Sequence, residues 1–230
     1  MAILSVEHSD QLYWLGRYSE RVYTTIKEFA KRFDSMIELR EHDYDEYCKA
    51  QDIPNIYSSK DDFIKRYCFD ESDPNSNHAN LIRAYDNAVV LREEIGSETL
   101  AYIQLAIYAM NKAKSSDAPL IQLQRVVDNI VAFWGMADDS IDSESVRSLI
   151  KLGKRVERID LYARMNMGHS ELKRELKRLN TRIGRTGLRY SSVKLAHLNY
   201  LAEMENTPKD MIIEEIESLF DEDMNTLDGK

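Results

Sequence analysis

Two Glu-Arg dipeptides, Glu20-Arg21 and Glu157-Arg158, are the residues of this sequence whose types and spacing could do chemistry. A carboxylate held among apolar side chains can have its pKa raised toward that of a general acid or base. A neighbouring guanidinium opposes the rise and favours a permanent ion pair. Both dipeptides close the same ten-residue frame, L-x-x-L-G-(R/K)-x-x-E-R, which runs once from Leu12 to Arg21 and again from Leu149 to Arg158. Each copy carries a glycine, Gly16 or Gly153, inside a stretch of helical periodicity. Glycine in a helix interior costs about 1 kcal/mol against alanine, so two at matching positions imply close packing.

Helical phase decides what the dipeptides face. In the first copy Leu15, Val22 and Ile26 define an apolar seam, and 100° per residue puts Arg17, Glu20 and Thr24 nearly opposite it, with Arg21 on the flank. Lys154, Glu157 and Leu161 hold the corresponding places in the second copy. Three readings stay open. The first is a solvated face with i,i+3 pairs Arg17–Glu20 and Lys154–Glu157, each worth a few tenths of a kcal/mol. The second is a reciprocal quartet across a pseudo-twofold, in which Glu20 meets Arg158 and Glu157 meets Arg21. The third is a ligand site.

Other polar clusters lie beside apolar helical positions: Asp86-Asn87 with Arg92 and Ser97-Glu98, and Asp138-Asp139-Ser140. Asp139 and Ser140 fit a helix terminus first, and convergence with Glu20 and Glu157 into one polar pocket is the lesser alternative. A carboxylate-bridged metal pair in a helical bundle uses Glu-x-x-His motifs, and none occurs, so no metal ligands are assigned, while a carboxylate-only site for magnesium or calcium stays open. Neither Cys48 nor Cys68 has a histidine at a spacing that suggests a nucleophile, and no glycine-rich phosphate loop implies a cofactor. Residues 173–194 carry Lys173, Arg174, Lys177, Arg178, Arg182, Arg185, Arg189 and Lys194, which reads either as a solvated face or as a docking site for an acidic partner or a phosphate-bearing ligand.

The elements that must position these groups are helices. Eight glycines and four prolines in 230 residues leave few breaks, and apolar residues recur at 3–4 spacing nearly throughout. The spacing predicts a first helix from Ser9 or Asp10 to about Glu38 and, from Glu41 to Ser59, a loop with room for one helical turn. A helix then opens at Ser59 with Asp62, and Asp70–Asn77 forms a connector. Helices follow over Ala79–Glu94, with Leu81, Ile82, Tyr85, Val89 and Leu91 inward, and from Gly96-Ser97 through Met110. The next runs from Asp117-Ala-Pro119 to about Gly135, and another from Asp142 or Ser143 to a stop at Gly168. Shorter helices complete the chain: one ended by Gly184 and Gly187, one over Leu195–Met204 and one begun by Thr207-Pro208. The expected fold is all-α, an antiparallel bundle of long helices with an internal pseudo-twofold repeat. Its core is expected over residues 1–168, with shorter helices of 169–230 packed on the same domain.

The net charge of −9 gives no general reason to bind nucleic acid or an anionic membrane. No apolar run approaches the roughly 20 residues needed to span a bilayer. The opening Met-Ala-Ile-Leu-Ser-Val-Glu-His lacks signal-peptide regions, and two cysteines make no disulfide framework. A cytoplasmic protein with reduced thiols is expected, and homo-oligomerisation stays open.

Four blocks resemble the alpha-E family, an all-helical bacterial and archaeal domain named for its Glu-Arg motif. They are Leu12 to Arg21, the Asp73-Pro-Asn-Ser76 connector, Asp86 to Glu98, and Phe133-Trp-Gly-Met-Ala-Asp138 followed by Leu149 to Arg158 and Arg164. The family usually has an Arg and a Trp between the Asp138 position and the second Leu-Gly, where this chain has Asp142-Ser143 and Val146. Carried over residue by residue, the motif positions are Arg17, Glu20, Arg21, Asp86, Asn87, Arg92, Glu98, Asp138, Glu157 and Arg158. Alpha-E proteins are typically encoded beside, or fused to, circularly permuted ATP-grasp amide ligases, often with transglutaminase-like peptidases. The resemblance implies a non-catalytic partner, scaffold or substrate-holding subunit in an ATP-dependent amide- or peptide-forming pathway. The alternative is an enzyme whose Glu20 and Glu157 pocket acts on an amide or amino acid by acid–base or metal-assisted chemistry.

Overall fold

The computed structural model describes residues 4–36, 43–204 and 208–220. Every regular element among them is a helix, and no described helix is long and apolar enough to cross a membrane. The chain divides into two compact units, Tyr18–Asp142 and Met1–Arg17 with Ser143–Lys230. The first helix, α1 (Val6–Met36), contributes its opening turns to the second of these and the rest to the first. It begins a turn earlier than its periodicity predicts. Ile37 and Glu38, and the side chains of Phe33 and Met36, lie outside the described residues.

The 18–142 unit holds the remainder of α1 with α2 (Asp43–Ala50), α3 (Lys60–Phe69), α4 (Asn77–Val90), α5 (Arg92–Ile95), α6 (Ser97–Lys114), α7 (Pro119–Gln122) and α8 (Gln124–Ser140). Here α6 packs between α4 and α8. Hydroxyl caps set two of the starts: Ser59 Oγ accepts from Asp62 N at 3.1 Å and Ser76 Oγ from Ala79 N at 3.0 Å. The predicted connector is built on Asp73, whose buried carboxylate accepts the Tyr57 hydroxyl at 2.6 Å and the Asn75 amide at 2.9 Å.

Three expectations for this unit need correction. Residues 43–50 are helical, because Tyr44, Tyr47 and Cys48 stand at i, i+3 and i+4 and bury against Phe29, Phe63 and Tyr67. The intervening acids Asp45 and Glu46 mask that stripe in the sequence. Helix α8 does not stop at Gly135 but continues to Ser140, since Ile130, Phe133, Ala137 and Ile141 prolong its buried stripe. Val89 is exposed rather than inward. The helix breaks at Leu91, and a second break follows at Gly96, whose φ of +78° favours glycine.

The other unit holds residues 6–17 of α1 with α9 (Glu144–Arg164), α10 (His169–Ile183), α11 (Ser192–Leu201) and α12 (Lys209–Glu217). Ser143 caps α9 by accepting from Val146 N at 3.4 Å. Leu152, Val156 and Ile159 of α9 meet Leu172, Leu176 and Leu179 of α10, and Ile212 and Ile216 of α12 join the same cluster. Gly168 does not terminate α9. The helix ends at Arg164, the left-handed turn is taken by Asn166 (φ 58°), and Gly168 stands at the N-cap position of α10. Thr207, expected to open the last helix, lies outside the described residues; α12 follows Pro208.

Candidate functional site

Both repeat glycines sit where α1 and α9 touch, within the unit built on α9. A Cβ added to Gly16 would fall well inside van der Waals contact of the Ile150 carbonyl oxygen and 3.0 Å from the Lys154 nitrogen. One added to Gly153 would do the same to the Tyr13 carbonyl oxygen and lie 3.1 Å from the Arg17 nitrogen. The contacts are reciprocal: each glycine meets the residue three before and one after the other. Leu12, Leu15, Leu149, Leu152 and Val156 are all fully buried beside them.

That approach puts Arg17 on Glu157. Its Nε donates to Glu157 Oε2 at 2.7 Å, and the guanidinium lies 4.8 Å from the centre of the Trp14 ring. Glu157 is 1% exposed. Burial works against the Arg17 charge, but Glu157 and Tyr13 more than offset it and hold the guanidinium firmly protonated. Burial, with Glu157 opposing ionisation, pushes the Tyr13 phenol up to about 12. The Glu157 carboxylate is thus engaged by a guanidinium of the facing helix.

The solvated-face reading is therefore corrected. Glu157 and Glu20, the latter 0% exposed, are both buried. A single-seam argument fails for α9 because Ile150, Glu157, Asp160 and Leu161 are buried as well as Leu149, Leu152 and Val156. Arg17 and Glu157 pair across the two helices.

The remaining motif positions have different surroundings. Glu20, in the 18–142 unit, accepts the Thr24 hydroxyl at 2.7 Å from one turn on. Arg21 is half-buried in that unit, and Asn87 is half-buried on α4. Asp86, Arg92, Glu98 and Asp138 are exposed, on α4, α5, α6 and α8. Arg92 Nε donates to Ser97 Oγ at 2.9 Å, which bridges the break at Gly96. Arg158 approaches a different carboxylate, Glu175, at 3.9 Å.

A family model, a predicted alpha-helical domain with a conserved ER motif, matches residues 7–207. The chain belongs to the Alpha-E family. The match spans both Glu-Arg dipeptides and the helices that carry them. No curated protein and no solved structure matches.

A second charged centre of this Alpha-E chain escapes motif reasoning. Glu175 on α10 is 0% exposed and faces four guanidiniums. Arg155 lies at 2.6 Å, Arg178 at 2.7 Å, Arg174 at 3.5 Å and Arg158 at 3.9 Å. Its signal was its register: Leu172, Glu175, Leu176 and Leu179 share one stripe, so a carboxylate occupies a core position. Asp160 is likewise buried, one turn before its partner Arg164 at 2.8 Å.

Burial tends to raise the Glu175 pKa, but Arg155, Arg158 and Arg178 outweigh it and hold the carboxyl below its ordinary 4.5. A depressed carboxyl stabilises the fold fully above its unfolded value and loses that contribution as pH falls through the folded one. Denaturation midpoints of the native protein and Glu175→Gln should accordingly differ at neutral pH and converge on acidification below about 4.5. Parallel curves would show that Glu175 has no such role.

Among the described residues no group of three or more His, Cys, Asp or Glu is arranged to hold a metal ion. Cys48 and Cys68 are free and buried. Burial pushes their thiols up to about 11 and about 12, Asp45 and Asp73 adding to the effect at Cys48. A chromogenic disulfide reagent at pH 8 should label neither in the native protein and both in denaturant; rapid labelling of the native protein would contradict this burial.

Proposed function

We propose that this Alpha-E chain is a non-catalytic helical module of an ATP-dependent amide- or peptide-forming pathway in the cytoplasm. It binds an ATP-grasp ligase or holds that enzyme's peptide substrate. The pathway comes from what the family resemblance implies. What supports the non-catalytic character is one observation: the motif carboxylate Glu157 is engaged by Arg17 at 2.7 Å in a buried pair, an arrangement suited to fixing helix register. Glycine contacts on both sides of the pair support the same reading.

The second reading, an acid–base enzyme acting on an amide or amino acid, draws on Glu20. Its carboxylate is buried and accepts the Thr24 hydroxyl at 2.7 Å. The two readings separate in one experiment. The protein is co-expressed with the ATP-grasp ligase encoded beside its gene, and the purified ligase is assayed with and without it. Co-purification together with a changed substrate KM supports the partner reading. A ligase with unchanged affinity and turnover, and no co-purification, overturns it. Amide turnover by the isolated chain that is lost in Glu20→Gln supports the enzyme instead.

A further inference from the structure

Helix α6 presents an outer face without charge. Residues 99–111 contain no charged side chain, in a chain of which 31% is charged. The stretch is not wholly interior. Helix α6 packs between α4 and α8 and buries Thr99, Ile103, Ala106 and Met110, yet Leu105 is 50% and Tyr108 77% exposed. At 100° per residue Ala101, Leu105 and Tyr108 fall within about 60° of one another, on the side away from those buried positions. Glu98 and Lys112, both exposed, continue the same stripe at its two ends.

The order of charges along the stripe says what fits it. Glu98 and Lys112 stand seven residues before and after Leu105, about 10 Å along the helix in either direction. The stripe is acidic at its start, apolar in its middle and basic at its end, so it is complementary to itself turned end for end. An acid in the first turn and a base in the last also suit the helix macrodipole, but the dipole does not call for an exposed leucine and tyrosine between them. When two copies of α6 lie antiparallel about a twofold through Leu105, Glu98 of each meets Lys112 of the other. Leu105 then meets its own counterpart, and the bulky Tyr108 lies over the small Ala101 of the second copy. Such mutual contact is what an isologous interface requires, whereas an unrelated partner needs no internal symmetry in the stripe.

We propose that α6 is a self-association surface, pairing antiparallel with α6 of a second copy of this chain about Leu105. The pairing stands independently of the ligase partnership proposed above and uses none of the Arg17–Glu157 pair. An 18-residue helix offers a strip about 27 Å long and about 10 Å wide. Two such strips bury less than the roughly 1,200 Å² of a stable interface, so the dimer is a reversible one that forms with rising concentration.

Sedimentation equilibrium of the full chain, from about 1 to about 200 µM, tests it. The average mass of the native protein should rise from the 26.8 kDa of one chain toward twice that value. Leu105→Glu sets two carboxylates against each other on the twofold and should raise the dimer Kd more than about tenfold. Glu98→Lys or Lys112→Glu turns two attractive contacts into two repulsive ones and should raise it about fivefold or more. Combining these two reversals restores attraction with the signs exchanged, and Kd should return to within about twofold of native. All three positions are exposed, and circular dichroism verifies the fold of each variant. A native chain that stays monomeric throughout overturns the proposal and leaves the stripe to a different protein. Dimers unaffected by Leu105→Glu overturn it by placing the contact elsewhere. A combined variant no tighter than the single reversals overturns the antiparallel pairing.

Discussion

Gly16→Ala and Gly153→Ala should each destabilise the protein by about 3 kcal/mol or more. Each added Cβ meets a backbone carbonyl oxygen of the facing helix, Ile150 for Gly16 and Tyr13 for Gly153, and backbone cannot rotate out of the way as a side chain tip can. Relief requires α1 and α9 to move apart, which loosens the fully buried leucines beside the contact. Because one separation relieves both clashes, the double variant should lose less than the sum of the single losses. Gly135→Ala is the internal control. Gly135 lies inside α8 with nothing within 4 Å of an added Cβ, so the change should stabilise by up to about 1 kcal/mol through helix propensity alone. Urea denaturation of the four variants checks this. Costs below about 1 kcal/mol at both repeat positions would mean that the helices do not meet at their glycines.

Glu157→Ala should cost about 3–5 kcal/mol, the range found when one member of a buried ion pair is removed. Arg17 is largely buried against Trp14, so its charge cannot simply return to water when the carboxylate goes. Glu157→Gln should recover part of the loss, because the amide oxygen still accepts from Nε. A catalytic role would give another pattern: Glu157→Gln would abolish activity while leaving the denaturation midpoint nearly unchanged. Measuring the midpoints of Glu157→Ala and Glu157→Gln against the native chain separates the two.

Much of the fold was legible because local chemistry and long-range packing agree. Ser59 followed by Asp62, and Ser143 opening the second repeat helix, become hydroxyl caps where their spacing places them. The matched glycines, costly in isolated helices, become close contacts. Legibility fails where packing alone decides. Tyr44, Tyr47 and Cys48 form a helix because an aromatic cluster receives them, though acids interrupt their stripe. Gly135 reads as a stop yet continues a helix whose buried face extends to Ile141.

The candidate site was half-legible for a similar reason. Helical phase gives the direction in which Glu157 leaves α9, but not which cation waits there. Arg17 reaches it because the glycine contact brings the two helices together at that level. Phase also assumes one buried side, whereas α9 is packed on several and turns a solvent-facing carboxylate into a buried one. Glu175 was overlooked because no motif contains it. Its position in the Leu172–Leu179 stripe was visible, but the arginines of α9 that neutralise it come from another helix.

Arg17 holds the repeat's Glu157 as a buried pair across the two helices. A double-mutant cycle of Arg17→Met, Glu157→Leu and the combined variant, read by urea denaturation, tests it most directly. A coupling of about 1.5–3 kcal/mol is expected, with the combined apolar variant more stable than either single one. A coupling within about 0.5 kcal/mol of zero would contradict it and leave Glu157 free for chemistry.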